Sequence, residues 1–180
     1  MDPIEKTFID KTGWVDGPWM HEPDRIEWRH EAAPSLACLI VRGHLGALCG
    51  YVGLPPGHPW HGKDYGADDM SPDVHGGLTF AAPCDEDGRI CHVPQPGEPA
   101  DVWWLGFDCG HGGDYFMMAS GRIMAEKRPD LFSGTYEPPP PGTDPFWTTH
   151  GTYRDIAYVR AEVERLAEQC AAAVLTEVSR

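Results

Sequence analysis

Apolar residues in this chain fall into short runs divided by long polar, glycine- and proline-rich stretches, and only the final quarter carries a helical period. Arg25-Ile26-Glu27-Trp28-Arg29 alternates polar and apolar side chains as a half-buried strand does. Leu36 to Val41 is a continuous, partly β-branched run that stops at Gly43-His44, and a second run extends from Leu45 to Val52. Together they predict a tight hairpin through Arg42-Gly43-His44. Gly46, Gly50 and Gly53 inside the second run predict a bulge or a close approach of another part of the chain. Val74–Ala82 and Gly88–Val93 read as strands joined across Asp85-Glu86-Asp87-Gly88, and Val102–Phe107 is the most apolar strand candidate.

From Thr152 the pattern changes. Ile156, Val159, Val163, Leu166, Cys170 and Ala173 recur at spacings of three and four, which predicts an amphipathic helix over residues 152–178. Thr-Tyr-Arg-Asp at its start resembles a capping box with Asp in the usual Glu position. The expected fold is therefore α+β: an antiparallel sheet of about five strands, one long C-terminal helix packed on it, and long ordered loops. Residues 1–180 are expected to form a single domain, with 1–33 as an N-terminal extension and 133–151 as a Pro/Gly-rich connector. Pro138–Pro141 would give that connector polyproline character.

Composition adds limits. The 180 residues include 21 Gly and 18 Pro, yet 41% are apolar and seven are Trp, so the chain has the means to bury a core. With 14 Lys+Arg against 28 Asp+Glu the net charge is −14, which repels phosphate backbones and anionic lipid surfaces. Neither nucleic acid nor membrane is an expected partner, and no run approaches the roughly 18 apolar residues of a membrane span. The first residues lack the basic-then-apolar order of a signal peptide, so a cytoplasmic setting is expected. The six cysteines form no CxxC pair. Cys38, Cys49 and Cys170 sit on apolar runs and read as small buried hydrophobes, while Cys84, Cys91 and Cys109 stay open in role.

Three places can carry chemistry. In Asp73-Val74-His75-Gly76-Gly77 and in Asp108-Cys109-Gly110-His111-Gly112-Gly113-Asp114, apolar strands meet turns that combine glycine with Asp and His. His75, Asp108, His111 and Asp114 make an imidazole–carboxylate set suited to a divalent zinc, manganese or iron cofactor that activates water. A bland alternative has Asp108 capping a turn and His75 as a satisfied core group. The third place is the 54–66 loop, where His58, Trp60, His61, Lys63 and Tyr65, with Tyr51 beside them, can fold over a planar or anionic ligand. The alternative there is an Ω-type loop packed by its own aromatics. Cys84, Cys91, His92 and Cys109 form a weaker zinc set, and Cys109 beside His111 or His75 a weaker nucleophile.

Cys49-Gly50-Tyr51-Val52-Gly53, Gly57-His58-Pro59, Lys63-Asp64-Tyr65, Val74-His75-Gly76-Gly77-Leu78-Thr79-Phe80, Trp104-Leu105-Gly106-Phe107-Asp108-Cys109-Gly110-His111 and Tyr153-Arg154-Asp155 occur in that order. In these patches the chain resembles a family of phage, prophage and bacterial proteins with no established activity. The resemblance implies a phage-type accessory protein, in the host cytoplasm if phage-encoded, that counters host defence signalling. Three functional classes follow: a protein that binds a small polar or nucleotide-like ligand, a metal-dependent hydrolase, and an acidic inhibitor of a host protein. An oligomer is compatible with each. Abundant Tyr and Trp near the proposed pocket favour the first class.

Overall fold

In the computed structural model the described residues are 2–12, 14, 17–43, 46–84, 89–92, 94, 96–115 and 151–178. The expected connector at 133–151 lies outside them except for Gly151. Six strands, β1 (Ile4–Lys6), β2 (Arg25–Arg29), β3 (Ala37–Arg42), β4 (Leu48–Leu54), β5 (Phe80–Pro83) and β6 (Trp103–Asp108), form one antiparallel sheet in the order β1-β2-β3-β4-β6-β5. A separate parallel pair joins β7 (Asp114–Tyr115) to β8 (Thr152–Tyr153), and a helix, α1, covers Ile156–Val178. The fold is α+β, with one strand more than expected in the main sheet.

The additional strand comes from the presumed extension. β1 has no apolar pattern and is exposed, but it pairs with β2 residue by residue from Ile4↔Glu27 to Lys6↔Arg25. β3 and β4 pair from Ala37↔Gly53 to Arg42↔Leu48, a hairpin as expected, but β4 begins at Leu48 and not at Leu45, so the turn is wider than Arg42-Gly43-His44. All six β3 residues are buried, which explains its unbroken apolar run: both sheet faces are covered. On one face Cys38, Ile40, Leu48, Val52, Leu105 and Phe107 meet the helical stripe of Val159, Val163, Leu166 and Cys170. On the other, Leu39, Val41, Tyr51 and Trp104 are covered by Cys84, Ile90 and Val102.

Gly50 sets how closely α1 can approach. A Cβ there would lie 2.5 Å from both Phe107 Cζ and Val163 Cγ2, so only glycine lets the helix seat on β4 at this distance.

Four expectations change. Val74–Thr79 forms a turn and not a strand, because Gly76 and Gly77 adopt φ of +66° and +83°; β5 begins only at Phe80. Residues 89–92 form no strand either. The Arg25 guanidinium takes the carbonyls of Arg89 (2.6 Å) and Cys91, holding this segment over the polar face of β2. That face was expected to meet solvent. It is instead neutralised internally, with Glu27 3.0 Å from Arg25 and 3.7 Å from Arg29, and Glu98 2.6 Å from Arg29. The helix also starts later than Thr152. Asp155 is its N-cap, accepting the Tyr158 N–H at 2.8 Å, while Thr152 donates its N–H to Gly113 in the β7–β8 region. No helix among the described residues is long and apolar enough to cross a membrane.

Asp24 and Arg42 are fully buried and face each other at 3.3 Å. Asp24 also accepts the Phe8 and Ile9 N–H groups (2.9 and 2.8 Å) and pairs with Lys11 at 2.9 Å. Arg42 reaches Glu22 at 2.7 Å, the Gly46 carbonyl at 3.0 Å and the Tyr153 hydroxyl at 3.2 Å. Tyr153 in turn bonds Glu22 and packs on Trp19, which also stacks on Tyr115.

Burial opposes ionisation of Asp24, but the Ile9 N–H, Lys11 and the Phe8 N–H outweigh it and hold the carboxyl below its ordinary value. The unfolded chain therefore takes up a proton here more readily than the native one. This contribution to stability is complete above the ordinary carboxylate range and is lost as pH falls below about 4. Asp24→Asn leaves Arg42 and Lys11 short of their counter-charge. We expect a loss of about 3–5 kcal/mol at neutral pH and a flatter acid limb, both read from urea unfolding midpoints. A loss under about 1 kcal/mol would show that the network is not stabilising.

Candidate functional site

At the end of β6 the chain passes through Asp108 and the 109–113 turn into β7, which begins at Asp114. The turn at 74–77 lies beside it, pinned by the helix: the His75 N–H donates to Glu162 Oε2 at 2.8 Å, and the Asp73 N–H to Gln169 Oε1 at 2.7 Å. Tyr158 and Glu162 are one turn apart on α1, so both reach this segment. Sequence distance is large, but the side chains converge.

Asp114, only 6% exposed, is the hub. Its Oδ2 lies 2.8 Å from His75 Nε2 and accepts the His111 N–H at 3.1 Å, while Oδ1 accepts from Arg154 Nε at 2.9 Å. His75 Nδ1 is 3.0 Å from the Tyr158 hydroxyl, and the Arg154 guanidinium sits 4.7 Å over the Tyr158 ring. The His75 and His111 rings meet edge-on, centroids 5.5 Å apart. One ligand atom from each of His75, His111 and Asp114 falls within 4.8 Å of the others. Among the described residues, His111 Nδ1 is buried without a hydrogen-bond partner; it lies 3.8 Å from Asp108 Oδ1 and 3.9 Å from Asp114 Oδ2.

Gly76 makes room for this arrangement. A Cβ there would come within 2.3 Å of His111 Cε1, and its φ of +66° is itself unfavourable for other residues. Burial works against the charged form of Asp114. The hydrogen bonds from Arg154, His75 and the His111 N–H outweigh it, so the carboxyl is held below its ordinary value and is ionised at neutral pH. The bond to Asp114 likewise raises Arg154.

Of the four residues expected here, Asp108 plays a different part. Its Oδ1 accepts the Gly110 N–H and its Oδ2 the Thr79 hydroxyl, both at 2.9 Å, so it caps the turn and ties it to the start of β5. Cys109 is buried in the helix-side core, where burial and the nearby Asp114 push its thiol upward, which does not suit a nucleophile.

The 54–66 loop is elsewhere. His58 bonds the Cys170 carbonyl at 3.0 Å and accepts the Trp60 N–H at 3.0 Å; Trp60 packs on the core. Along α1, Cys170 lies about 18 Å from Tyr158 at 1.5 Å per residue. His61 packs near Trp103, whose indole donates to the Lys63 carbonyl at 2.9 Å, and Lys63 pairs with Asp69 at 2.6 Å. Tyr65 is exposed, and Tyr51 is buried on the opposite sheet face against Phe80. The loop packs by its own aromatics and borders a groove of about 440 Å³ between His58, Pro55, Leu36 and Ala171, away from His75.

Arg154, Tyr158 and Glu162 were absent from the sequence-based set. Their signal is a column of polar and aromatic residues at intervals of four beside the helix start, easily taken for a solvated face. The expected zinc set also divides. Cys84 and Cys91 are joined in a disulfide with His92 beside them, whereas Cys109 belongs to the helix-side core.

Compared with protein-family models, curated proteins and solved structures, the chain matches none.

Gly76→Ala should displace the His111 ring and destabilise the fold by more than about 1 kcal/mol. Gly77→Ala meets nothing within 4 Å and suffers the backbone strain of φ +83° alone. Comparison of the two by urea unfolding and by histidine ring proton shifts isolates the ring clash. Equal losses and unchanged His111 shifts in both variants would show that the close approach does not hold the ring.

Proposed function

We propose that His75, His111 and Asp114 bind one divalent cation and that the chain is a metal-dependent hydrolase of a small polar substrate. The observation that carries this reading is the convergence of two imidazoles and a carboxylate within 4.8 Å, with His111 Nδ1 buried and without a hydrogen-bond partner among the described residues. Three protein donors of this kind leave coordination positions open, and a zinc-class ion supplies Lewis acidity that activates water at neutral pH.

The surroundings support the assignment. When Nδ1–H of His75 donates to the Tyr158 hydroxyl, the Nε2 lone pair is left on the side of Asp114. This is the outer hydrogen bond that fixes the tautomer of a metal-ligating histidine. Arg154 holds Oδ1 of Asp114, leaving Oδ2 toward the two imidazoles. The Arg154 charge is half-buried beside the centre, where it favours an anionic substrate group. A purely aromatic ligand pocket has less support, because the 54–66 loop lies about three helical turns away along α1.

Protein purified without added metal, or stripped and titrated calorimetrically with Zn²⁺ or Mn²⁺, tests the reading. One equivalent per chain is expected at this centre. His75→Ala, His111→Ala and Asp114→Asn should each weaken its affinity at least tenfold, whereas Asp108→Asn should change it by less than about threefold. Tyr158→Phe should weaken it by about tenfold with the helix intact by circular dichroism. A stripped chain that takes up no cation sensitive to these substitutions would overturn the proposal.

A further inference from the structure

The sheet face opposite α1 holds a second cluster of metal-binding atoms, independent of the first. Cys84 follows β5, and Cys91 and His92 lie in the segment held over β2 by Arg25. The two Sγ atoms and a His92 ring nitrogen all fall within 4.8 Å of one another. The sulfurs are joined as a disulfide, with Cα atoms 4.8 Å apart. His92 is only 6% exposed, and its Nδ1 has no hydrogen-bond partner among the described residues. Its ring packs beside Trp104, with centroids 6.1 Å apart.

A buried imidazole nitrogen without a hydrogen-bond partner, set against two cysteine sulfurs, is poorly explained by the disulfide, which needs no third group. It is well explained by a thiolate–imidazole ligand set. We propose that Cys84, Cys91 and His92 form a site for a soft divalent cation of the zinc class, open once the Cys84–Cys91 bond is reduced. Opening the bond takes two electrons. With a phosphine as reductant, the Sγ–Sγ bond breaks, phosphorus is oxidised to the phosphine oxide with water supplying the oxygen, and the two water hydrogens complete two thiols. Each thiol then loses its proton to solvent as its thiolate binds the ion. Two thiolates on one zinc sit roughly 3.8 Å apart when each Zn–S bond is about 2.3 Å, a separation the opened pair can reach by modest side-chain movement. Three protein ligands leave the fourth position to water. A cavity of about 220 Å³, lined by His92, Pro99, Arg29 and Glu98, gives the imidazole room to adjust.

The site has a structural consequence for the fold. Cys84 and Ile90 pack on the core formed by Leu39, Tyr51 and Trp104, so disulfide and metal are two ways of closing the same cover. Each excludes the other. Reduction without metal should therefore loosen this cover, and reduction with metal should restore it.

Cobalt distinguishes this centre from the one at His75, which contains no thiolate. Full-length protein is reduced with a phosphine, stripped of metal and titrated with Co²⁺ alone, following the thiolate-to-cobalt charge-transfer band in the near ultraviolet. One equivalent should produce the band in reduced protein and none in oxidised protein. The band should persist in His111→Ala and disappear in Cys84→Ser with Cys91→Ser. His92→Ala should weaken Co²⁺ affinity by at least tenfold while the thiolate band survives at high cobalt. No band in reduced wild-type protein, or a band of unchanged strength in the double serine variant, would overturn the proposal. The reduced and oxidised wild-type chains supply this comparison even where a cysteine variant fails to fold. Loss of cation binding at His75 would leave this result untouched.

Discussion

A guanidinium with no access to water must find its counter-charges and acceptors inside the protein, and Arg42 finds them in three separate segments. Asp24 precedes β2, Glu22 comes from the turn before it, the Gly46 carbonyl closes the β3–β4 hairpin, and Tyr153 belongs to β8. Removing an ion from water costs several kcal/mol, so these partners are required together rather than as optional surface pairs. One consequence is positional. Arg42 anchors Tyr153, Tyr153 stands next to Arg154, and Arg154 fixes the Asp114 carboxylate. The geometry of the candidate centre thus descends from a charge buried at the end of β3.

Asp114 repeats the same logic on a smaller scale. Its two oxygens are shared among three donors from the 74–77 turn, the 109–113 turn and the approach to α1. A carboxylate in that position is a structural rivet when no ion is bound and, in the proposed centre, a ligand when one is. His75 has the same double character, because its Nε2 faces Asp114 while its Nδ1 is occupied by Tyr158. Preorganisation of this type lowers the reorganisation needed on binding.

Much of the scaffold was readable in the sequence because burial leaves a periodic trace. The Val159–Val163–Leu166–Cys170 stripe named the helix face, and the two apolar runs around Gly43 named the β3–β4 hairpin. What was not readable has a common physical origin, since it depends on partners distant in the chain. β1 carries no apolar signal and exists through pairing with β2. The polar half of β2 looks solvated until Glu98 and the Arg89–Cys91 segment are placed over it. His75, His111 and Asp114 were found because glycine-rich turns with ligand-type residues form a local pattern. Tyr158 was missed because only helix packing brings it there, and Arg154 because only the anchored β8 strand does. The 54–66 loop drew attention by composition, yet its aromatics serve its own packing and the groove beside Cys170.

The parallel pairing of β7 and β8 adjoins Asp114 and Thr152 across a span of chain that begins at Phe116 and ends at Gly151. The two strands are tied down from outside that span, Asp114 by His75 and Tyr153 by Arg42. The register of the parallel pair is therefore held by contacts with the sheet's turns and with β3, and a change at His75 or Arg42 is felt in β7 and β8 although neither residue belongs to them.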